Sequence, residues 1–361
     1  MLTARYSGRR ARFVLAAFLL AASVARMVAA GSLPARLSDQ EFWALITGLS
    51  EPGGSFRSDN LLSNELRLQY VIPDLIRMVP LGRAYIGVGP EQNFTYIAAV
   101  QPSMAFIVDI RRGNLQLQLM YKALFDLSAD RAAFVSRLFS RARPNGLGAA
   151  SSASAIFEAF QPVPASETLY RSNLHAVLDD LTRTHTFALL PEDISGIDEV
   201  YRAFFEFGPG IQYSSTGRSG GRSQPTYADL MTAADADGTP RSYLATEDRF
   251  MFLRELEARN LVVPVVGNFG GPRALRRVGA YVRDHGATVS AFYLSNVEQY
   301  LRMDGLWQTF CGNVAALPLD RTSTFIRSVH SGSAGFQFGF GLTSELGSMV
   351  DETKECGSRP K

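Results

Sequence analysis

Two glycines and the acid that follows them have the spacing of a nucleoside-binding turn. Gly87-Val88-Gly89 ends one apolar run, and Asp109 lies 20 residues after Gly89, near the end of the next apolar run. Glycines let a ligand approach the backbone closely, and a carboxylate at this position can accept hydrogen bonds from ribose hydroxyls. The same residues also suit a tight strand-to-helix turn in which Asp109 only caps the next turn beside Arg111 and Arg112. The spacing leaves both interpretations open.

The residues after the glycines disfavour a diphosphate ligand. Pro90 has no backbone N–H to donate, and Glu91 places a carboxylate where a phosphate would sit. Gln92 stands where a dinucleotide-binding turn has its third glycine. We therefore expect a nucleoside ligand without phosphate rather than NAD or FAD. Glu91 either contacts an amino group of that ligand or stabilises the positive end of the following helix.

Alternating apolar runs and helical patterns predict the scaffold around these residues. The run 84–88, a helix that contains Phe94 and Ile97, and the run 104–110 form one βαβ unit. The alternation returns later in the chain, with strands predicted at 261–266, 288–294 and 323–329 and an amphipathic helix at 272–285. Because such units build parallel sheets, we predict an α/β fold with a doubly wound, mostly parallel sheet.

This interpretation divides the chain into five segments. They are a signal peptide or N-terminal anchor (1–30), N-terminal helices with the first βαβ unit (31–127), a helical insertion with a flexible loop (128–245), the second half of the sheet (246–350) and a polar tail (351–361). The Gly-, Ser- and Thr-rich stretch 208–226 is typical of a surface loop. A final antiparallel hairpin is expected at 332–341.

The first βαβ unit resembles the class I methyltransferase superfamily. Tyr85-Ile86-Gly87-Val88-Gly89 looks like its first motif, and Phe106-Ile107-Val108-Asp109 looks like its second strand with a ribose-binding acid. The segments GVGPEQNFTYIAAV, AFIVDIRRGNLQLQLMYKALFDL and FYLSNVEQYL are similar to an uncharacterised bacterial family with this fold. The resemblance covers about residues 56–127 and 260–330, and it implies a Rossmann-like sheet of the class I methyltransferase type.

The resemblance also implies a cofactor and a reaction. The cofactor is S-adenosylmethionine, and the residues expected to bind it are Gly87, Gly89, Glu91, Asp109 and Asn268. Ser295 and Asn296 would face the methyl acceptor, although either residue also suits the N-cap of the next helix. The implied activity is transfer of a methyl group to a small acceptor. Positioning in a closed pocket would do most of the work, and no catalytic base is assigned.

A polar stretch lies just ahead of the first strand. It includes residues 56–60 and Asn64-Glu65. Two interpretations stay open. The stretch either forms a lid over the carboxyl ends of the strands or is a solvated connection.

The first thirty residues have the layout of a secretory signal. They carry five arginines and no acid, and the apolar run 13–25 is shorter than the about 20 residues of a spanning helix. We therefore expect a periplasmic or secreted protein. An uncleaved segment would instead make it an inner-membrane anchor, and a buried extension would leave the protein cytoplasmic. Because S-adenosylmethionine is made inside the cell, the alternative function is an exported, non-catalytic binding protein that keeps the methyltransferase-like fold.

Charge and the remaining reactive residues exclude several classes. The net charge is +2, which argues against a nucleic-acid-binding protein. The partner expected from the strand-end residues is a small-molecule ligand. The four histidines do not cluster in the sequence, so no metal site is expected. With only Cys311 and Cys356 present, we expect neither a disulfide scaffold nor structural zinc, and Cys311 is predicted to be a buried thiol.

Overall fold

One mixed sheet lies at the centre of the part of the chain that the structure describes. This computed structural model describes residues 32–56, 58–213, 215–216, 224–330, 342–354 and 356. The strands are β1 (Ala84–Gly87), β2 (Met104–Asp109), β3 (Val262–Val266), β4 (Val289–Ser295), β5 (Thr324–His330) and β6 (Leu342–Ser348). They lie in the order β3-β2-β1-β4-β5-β6, and every neighbouring pair is parallel except β5 and β6. The predicted α/β class with a mostly parallel sheet is confirmed.

The strand order reverses at β1, because β2 and β3 lie on one side of it and β4, β5 and β6 on the other. Ile86 on β1 pairs with Phe106 of β2 on one side and with Phe292 of β4 on the other. β3 continues beyond β2, whereas β5 continues beyond β4. In open sheets of this kind, ligands bind in the crevice outside the carboxyl ends of the strands where the order reverses. That crevice lies here between β1 and β4.

Helices precede, interrupt and follow the strands. The α-helices are α1 (Asp39–Leu49), α2 (Ile72–Met78), α3 (Gln92–Val100), α4 (Arg112–Asp126), α5 (Arg131–Leu138), α6 (Ala153–Phe160), α7 (Glu167–Asp179), α8 (Pro191–Phe207), α9 (Tyr227–Thr232), α10 (Glu247–Ala258), α11 (Ala274–Asp284), α12 (Val297–Met303), α13 (Trp307–Ala315) and α14 (Met349–Glu352). Short 3-10 turns occur at Leu68–Val71 and Gly208–Gly210, and a π-helical turn at Asp180–Thr184 follows α7. No helix in the described ranges is both long and apolar enough to cross a bilayer.

Helices cover both faces of the sheet. Successive side chains on a strand point to opposite faces. On β4, Phe292 packs against Phe310 of α13, whereas its neighbour Tyr293 packs against Tyr96 of α3. α3 and α13 therefore lie on opposite faces, as a doubly wound arrangement requires.

The helical insertion shares its core with the rest of the molecule. Phe125 on α4 stacks on Phe134 of α5 at a ring distance of 4.8 Å, and both rings contact Phe250 of α10. These residues belong to one continuous buried apolar cluster that includes the strands. The insertion between β2 and β3 is therefore packed on α4 rather than held apart from the sheet.

Four of the predicted segments fall wholly or partly outside the described residues. They are the signal or anchor at 1–30, part of the Gly-rich stretch 208–226, part of the polar tail 351–361 and the hairpin at 332–341. The strands that flank the last of these, β5 and β6, do pair antiparallel, with Thr324 opposite Ser348 and Val329 opposite Thr343.

Cys311 is buried as predicted, but the prediction that it carries a thiol is wrong. Cys311 on α13 and Cys356, just after α14, form a disulfide with their Cα atoms 5.2 Å apart. That separation lies within the usual range for a disulfide. The residues are 45 positions apart in sequence, and only the pairing of β6 with β5 brings the end of the chain back to α13. Their spacing in the sequence therefore gave no sign of the bond.

Candidate functional site

A single segment crosses the carboxyl ends of four strands. We call residues 50–65 the lid; within it, Arg57 is outside the described residues. The lid connects α1 with the 3-10 turn at Leu68–Val71. Its contacts run across the sheet in spatial order, from β3 through β2 and β1 to β4.

The first half of the lid is bonded to the ends of β3 and β2. Glu51 N donates to Val266 O at 2.8 Å, and Gly54 N donates to Ile110 O at 2.8 Å, directly after β2. The Glu51 carboxylate also accepts from the backbone N–H of Ala274, the first residue of α11, at 2.6 Å. A carboxylate there satisfies free N–H groups and complements the positive end of the helix.

The second half of the lid is bonded to residues at the ends of β1 and β4. Ser63 N donates to Glu91 Oε1 at 3.1 Å. Glu65 Oε1 accepts from Tyr293 OH at 2.7 Å and from Ser295 Oγ at 2.5 Å. Ser63 and Glu65 of the predicted polar stretch therefore lie over the strand ends, as the lid interpretation predicts, whereas Asp59 in the same stretch stays exposed to solvent.

The Asn93 side chain holds the glycine turn through hydrogen bonds. Gly89 has φ +80°, which disfavours any residue with a Cβ, and a Cβ at Gly87 would collide with Asn93 Oδ1. Asn93 Nδ2 donates to the carbonyl oxygens of Val88 at 2.9 Å, Gly89 at 3.2 Å and Pro90 at 2.8 Å. The space beside Gly87 thus holds the Asn93 amide. Sequence reasoning did not single out Asn93, although an Asn four residues after the second glycine is a strong donor in reach of the turn.

Asp109 is paired within the chain. Its Oδ1 accepts from Arg111 N at 2.8 Å and Arg111 Nε at 3.0 Å, and its Oδ2 accepts from Arg111 Nη2 at 2.7 Å. Arg111 also donates to the Asp59 carbonyl oxygen of the lid. Asp109 is only 5% exposed. This is the capping arrangement that the sequence left open, and a ribose could reach Asp109 only if Arg111 moved.

The remaining predicted residues, Asn268, Ser295 and Asn296, also lie at this edge of the sheet. Asn268, half-buried after β3, accepts from Gly270 N at 2.8 Å through Oδ1. Ser295 ends β4 with φ +50° and bonds Glu65, as above. Asn296 occupies the N-cap position of α12 without a side-chain hydrogen bond to the helix. Capping by either side chain is therefore wrong, and the Ser295 hydroxyl faces the lid.

Four buried side chains beneath the lid carry acceptor oxygens that have no hydrogen-bond partner. We call this set the acceptor cluster, and its atoms are Glu65 Oε2, Glu91 Oε2, Gln92 Oε1 and Gln118 Oε1. All four residues are at most 4% exposed. Gln92 Nε2 lies 3.2 Å from the same Tyr293 hydroxyl that donates to Glu65, and Gln118 Nε2 donates to Gly89 O at 3.1 Å. The cluster therefore surrounds the glycine turn and the end of β4.

Burial changes the acidity of both carboxyls in the cluster. Desolvation raises the pKa of Glu91 to about 8, against a hydrogen bond from Ser63 that lowers it. Desolvation also raises the pKa of Glu65 above its ordinary value, although the Ser295 and Tyr293 hydroxyls counteract the shift. Glu91 makes no side-chain capping hydrogen bond to α3, and its carboxyl instead accepts from Ser63 of the lid. Its predicted interaction with the positive end of the helix stays a prediction.

Buried acceptors without donors are costly, by about 1–3 kcal/mol each. A proton on Glu91, ordered water or the N–H groups of a ligand would each supply donors. Sequence reasoning placed Glu65 in the possible lid but did not assign Gln92 or Gln118 to the site. Gln118 did carry a signal, because it lies between Leu117 and Leu119 in the middle of a helix.

Comparison with known proteins gives one match. No curated protein matches the chain. The family described as "Domain of unknown function (DUF7790)" matches residues 61–350. The match runs from the second half of the lid to the first turn of α14, and so it includes the whole sheet, the glycine turn and the acceptor cluster. The chain belongs to this DUF7790 family.

Proposed function

We propose that the protein is an exported, non-catalytic binding protein that holds a small, amine-bearing molecule between its lid and the carboxyl edge of its sheet. One observation carries the proposal. The lid is bonded across four strand ends, and it covers buried acceptors that have no donor. A ligand with several N–H donors supplies what these oxygens lack.

The disulfide supports export. Disulfides persist in oxidising compartments such as the periplasm and are rare in the cytosol. Cys311 and Cys356 are joined, and no free cysteine is found among the described residues. This agrees with the signal predicted from the first thirty residues. In such a compartment S-adenosylmethionine is not made, which favours binding of another ligand.

The pairing at the strand ends favours binding over methyl transfer. Asp109, the predicted ribose acid, is held in a two-pronged ion pair by Arg111. The backbone beside Gly87 is occupied by Asn93. The free acceptors lie further towards β4, on Glu65, Glu91 and their glutamine neighbours. The acceptor oxygens there suit the recognition of N–H groups.

Native mass spectrometry tests the proposal. Mature protein isolated from the periplasm of a producing bacterium should carry a small molecule that is lost on denaturation. Glu91→Gln replaces an acceptor oxygen with an N–H₂ donor, so we expect occupancy to fall about ten-fold or more. Glu65→Gln should also lower the occupancy of the bound molecule.

The matched control is Glu199→Gln, which makes the same chemical change at an exposed position on α8. It should keep the wild-type occupancy. Circular dichroism checks that each variant is folded. A wild-type protein that carries no small molecule, or equal occupancy in Glu91→Gln and Glu199→Gln, contradicts the proposal.

S-adenosylmethionine-dependent methyl transfer is the second candidate. It is favoured by the strand order, with the glycine turn after β1, an acid at the end of β2 and an antiparallel final strand. If Arg111 turned away, Asp109 would become free to accept from a ribose. This candidate predicts that Asp109→Asn, which keeps the side-chain shape, abolishes binding of S-adenosylmethionine in a folded protein. Unchanged affinity in that variant would exclude Asp109 from the site.

A further inference from the structure

A second cluster of polar side chains lies away from the lid. Helix α4 begins beside the lid and ends at Asp126, about 22 Å along its axis. There, Asp126 meets Asp180 and His185, which flank the π-helical turn after α7. The sequence predicts no metal site, because its histidines do not cluster. The fold instead brings one histidine together with two aspartates from distant segments.

The three side chains offer ligand atoms at metal-like separations. His185 Nε2 lies 3.1 Å from Asp126 Oδ2 and 3.6 Å from Asp180 Oδ2. All three ligand atoms lie within 4.8 Å of one another. Zn²⁺ bonds of about 2.1 Å in a tetrahedral site place neighbouring ligands about 3.4 Å apart. Only small side-chain rotations are needed to reach that geometry.

Asp180 gives independent evidence that the cluster binds a ligand. Its Oδ2 has no hydrogen-bond partner, although the residue is only 8% exposed. The atom faces His185 Nε2 across 3.6 Å, beyond hydrogen-bond distance. A buried carboxylate oxygen without a donor is costly, and a bound cation is one of the partners that removes this cost.

The other nitrogen of His185 is already oriented. His185 Nδ1 lies 2.8 Å from Asp39 Oδ1, at the start of α1. Histidines that bind metals usually donate their second ring N–H to a carboxylate or carbonyl, which fixes the ring and leaves the other nitrogen for the metal. Asp39 has this role here. Because it accepts from Nδ1, the other ring nitrogen, Nε2, faces Asp126 and Asp180.

Lys122 competes with a cation for the Asp126 carboxylate. Its Nζ donates to Asp126 Oδ2 at 3.1 Å and to Glu257 O at 2.7 Å. It therefore neutralises part of the charge on Asp126, but no hydrogen bond joins it to Asp180 among the described contacts. Three carboxylates, with Asp39 included, face this one ammonium group and an imidazole. A divalent cation balances the excess while His185 stays neutral.

We propose that Asp126, Asp180 and His185 form a divalent transition-metal site that takes Zn²⁺. An imidazole nitrogen with two carboxylate oxygens suits Zn²⁺ better than Mg²⁺ or Ca²⁺, which prefer oxygen ligands alone. The ion joins α4 to the π-helical turn of the insertion and, through Asp39, to α1. Its role is therefore to fasten the insertion and the N-terminal helix to the sheet-bearing core.

Calorimetric titration with ZnCl₂ tests the site on untagged, chelator-treated protein. We expect one ion per chain and a rise in the unfolding temperature that a chelator reverses. Asp180→Asn keeps the shape of a ligand but removes its charge, and should weaken Zn²⁺ binding at least ten-fold. Asp39 contacts His185 and not the metal, so Asp39→Asn should weaken Zn²⁺ binding about ten- to hundred-fold by disturbing the orientation of the ring.

Asp179→Asn is the matched control. Asp179 is the neighbouring aspartate, and it pairs with His175 and Arg183 on the surface. This variant should bind Zn²⁺ as the wild type does. The proposal is overturned if the folded wild-type protein binds no Zn²⁺, or if Asp180→Asn and Asp179→Asn have the same affinity. The first result would assign the cluster to an imidazolium that bridges the carboxylates without metal.

Discussion

At the scale of single residues, Asn93 has the largest share in shaping the glycine turn. Its amide donates to three successive carbonyl oxygens and accepts from Tyr85 OH at 2.9 Å. Asn93→Ala leaves several buried polar groups without partners, so we expect a loss of about 2–4 kcal/mol in the free energy of unfolding. Tyr85→Phe removes only one of these bonds and should cost about 1 kcal/mol. Urea denaturation measures both. Equal losses would show that the turn does not depend on the amide.

Single residues also show where prediction from the sequence stops. The sequence correctly predicts that Gly87, Asp109, Asn268 and Ser295 lie at one edge of the sheet, because each is at or just after the end of an apolar strand. Their partners were not foreseen. Glu65 bonds Ser295 across 230 positions of sequence, and Ser63 bonds Glu91 across 28. No local pattern marks such pairs, since they depend on where the lid lies once the sheet has formed.

At the scale of elements, the disulfide should stabilise the final strand. It ties Cys356, four residues after the end of α14, to α13, and so holds the edge strand β6 near that helix. Because a cross-link restricts the unfolded chain, we expect reduction to lower the free energy of unfolding by about 2–4 kcal/mol. The comparison is denaturation with and without a thiol reductant. A Cys311→Ser, Cys356→Ser double variant is the control, and it should resemble the reduced protein under both conditions.

Identical unfolding of the oxidised and reduced wild-type protein would contradict this expectation. So would quantitative alkylation of both thiols in protein taken from an oxidising compartment without reduction. The second result would also remove the main support for export.

Strands were easier to predict than the segments that join them. β1 to β5 begin and end within a residue or so of the predicted positions, because buried parallel strands are continuous apolar runs bounded by glycine or polar residues. β6 has exposed and half-buried positions and no such run. The described residues of the lid form no helix or strand, and its position depends on hydrogen bonds to the ends of four strands.

At the scale of the whole molecule, the buried carboxyls predict that stability falls as the pH rises. Burial raises the pKa of Glu91 and of Glu257 to about 8, from an ordinary value of 4.5. Above pH 4.5 the unfolded chain releases these protons while the folded chain keeps them. Their contribution is therefore complete below pH 4.5 and is lost as the pH rises through 8, by about 1.4 kcal/mol per pH unit for each carboxyl.

Urea denaturation between pH 5 and pH 8 measures this slope. Glu91→Gln has no proton to lose, so it should flatten the slope by one carboxyl's share. Glu199→Gln should leave the slope unchanged. Stability that is constant or rises with pH over this range would show that both carboxyls ionise in the folded protein.

The most direct test of the central claim is calorimetric titration of residues 31–361 with S-adenosylmethionine and S-adenosylhomocysteine. We predict that neither molecule binds to the well-folded protein, because Arg111 pairs with the Asp109 carboxylate and Asn93 fills the space beside Gly87. Micromolar binding at a single site would contradict the account. It would mean that the lid opens to a nucleoside, and it would favour the second candidate, methyl transfer, over the binding protein that we propose.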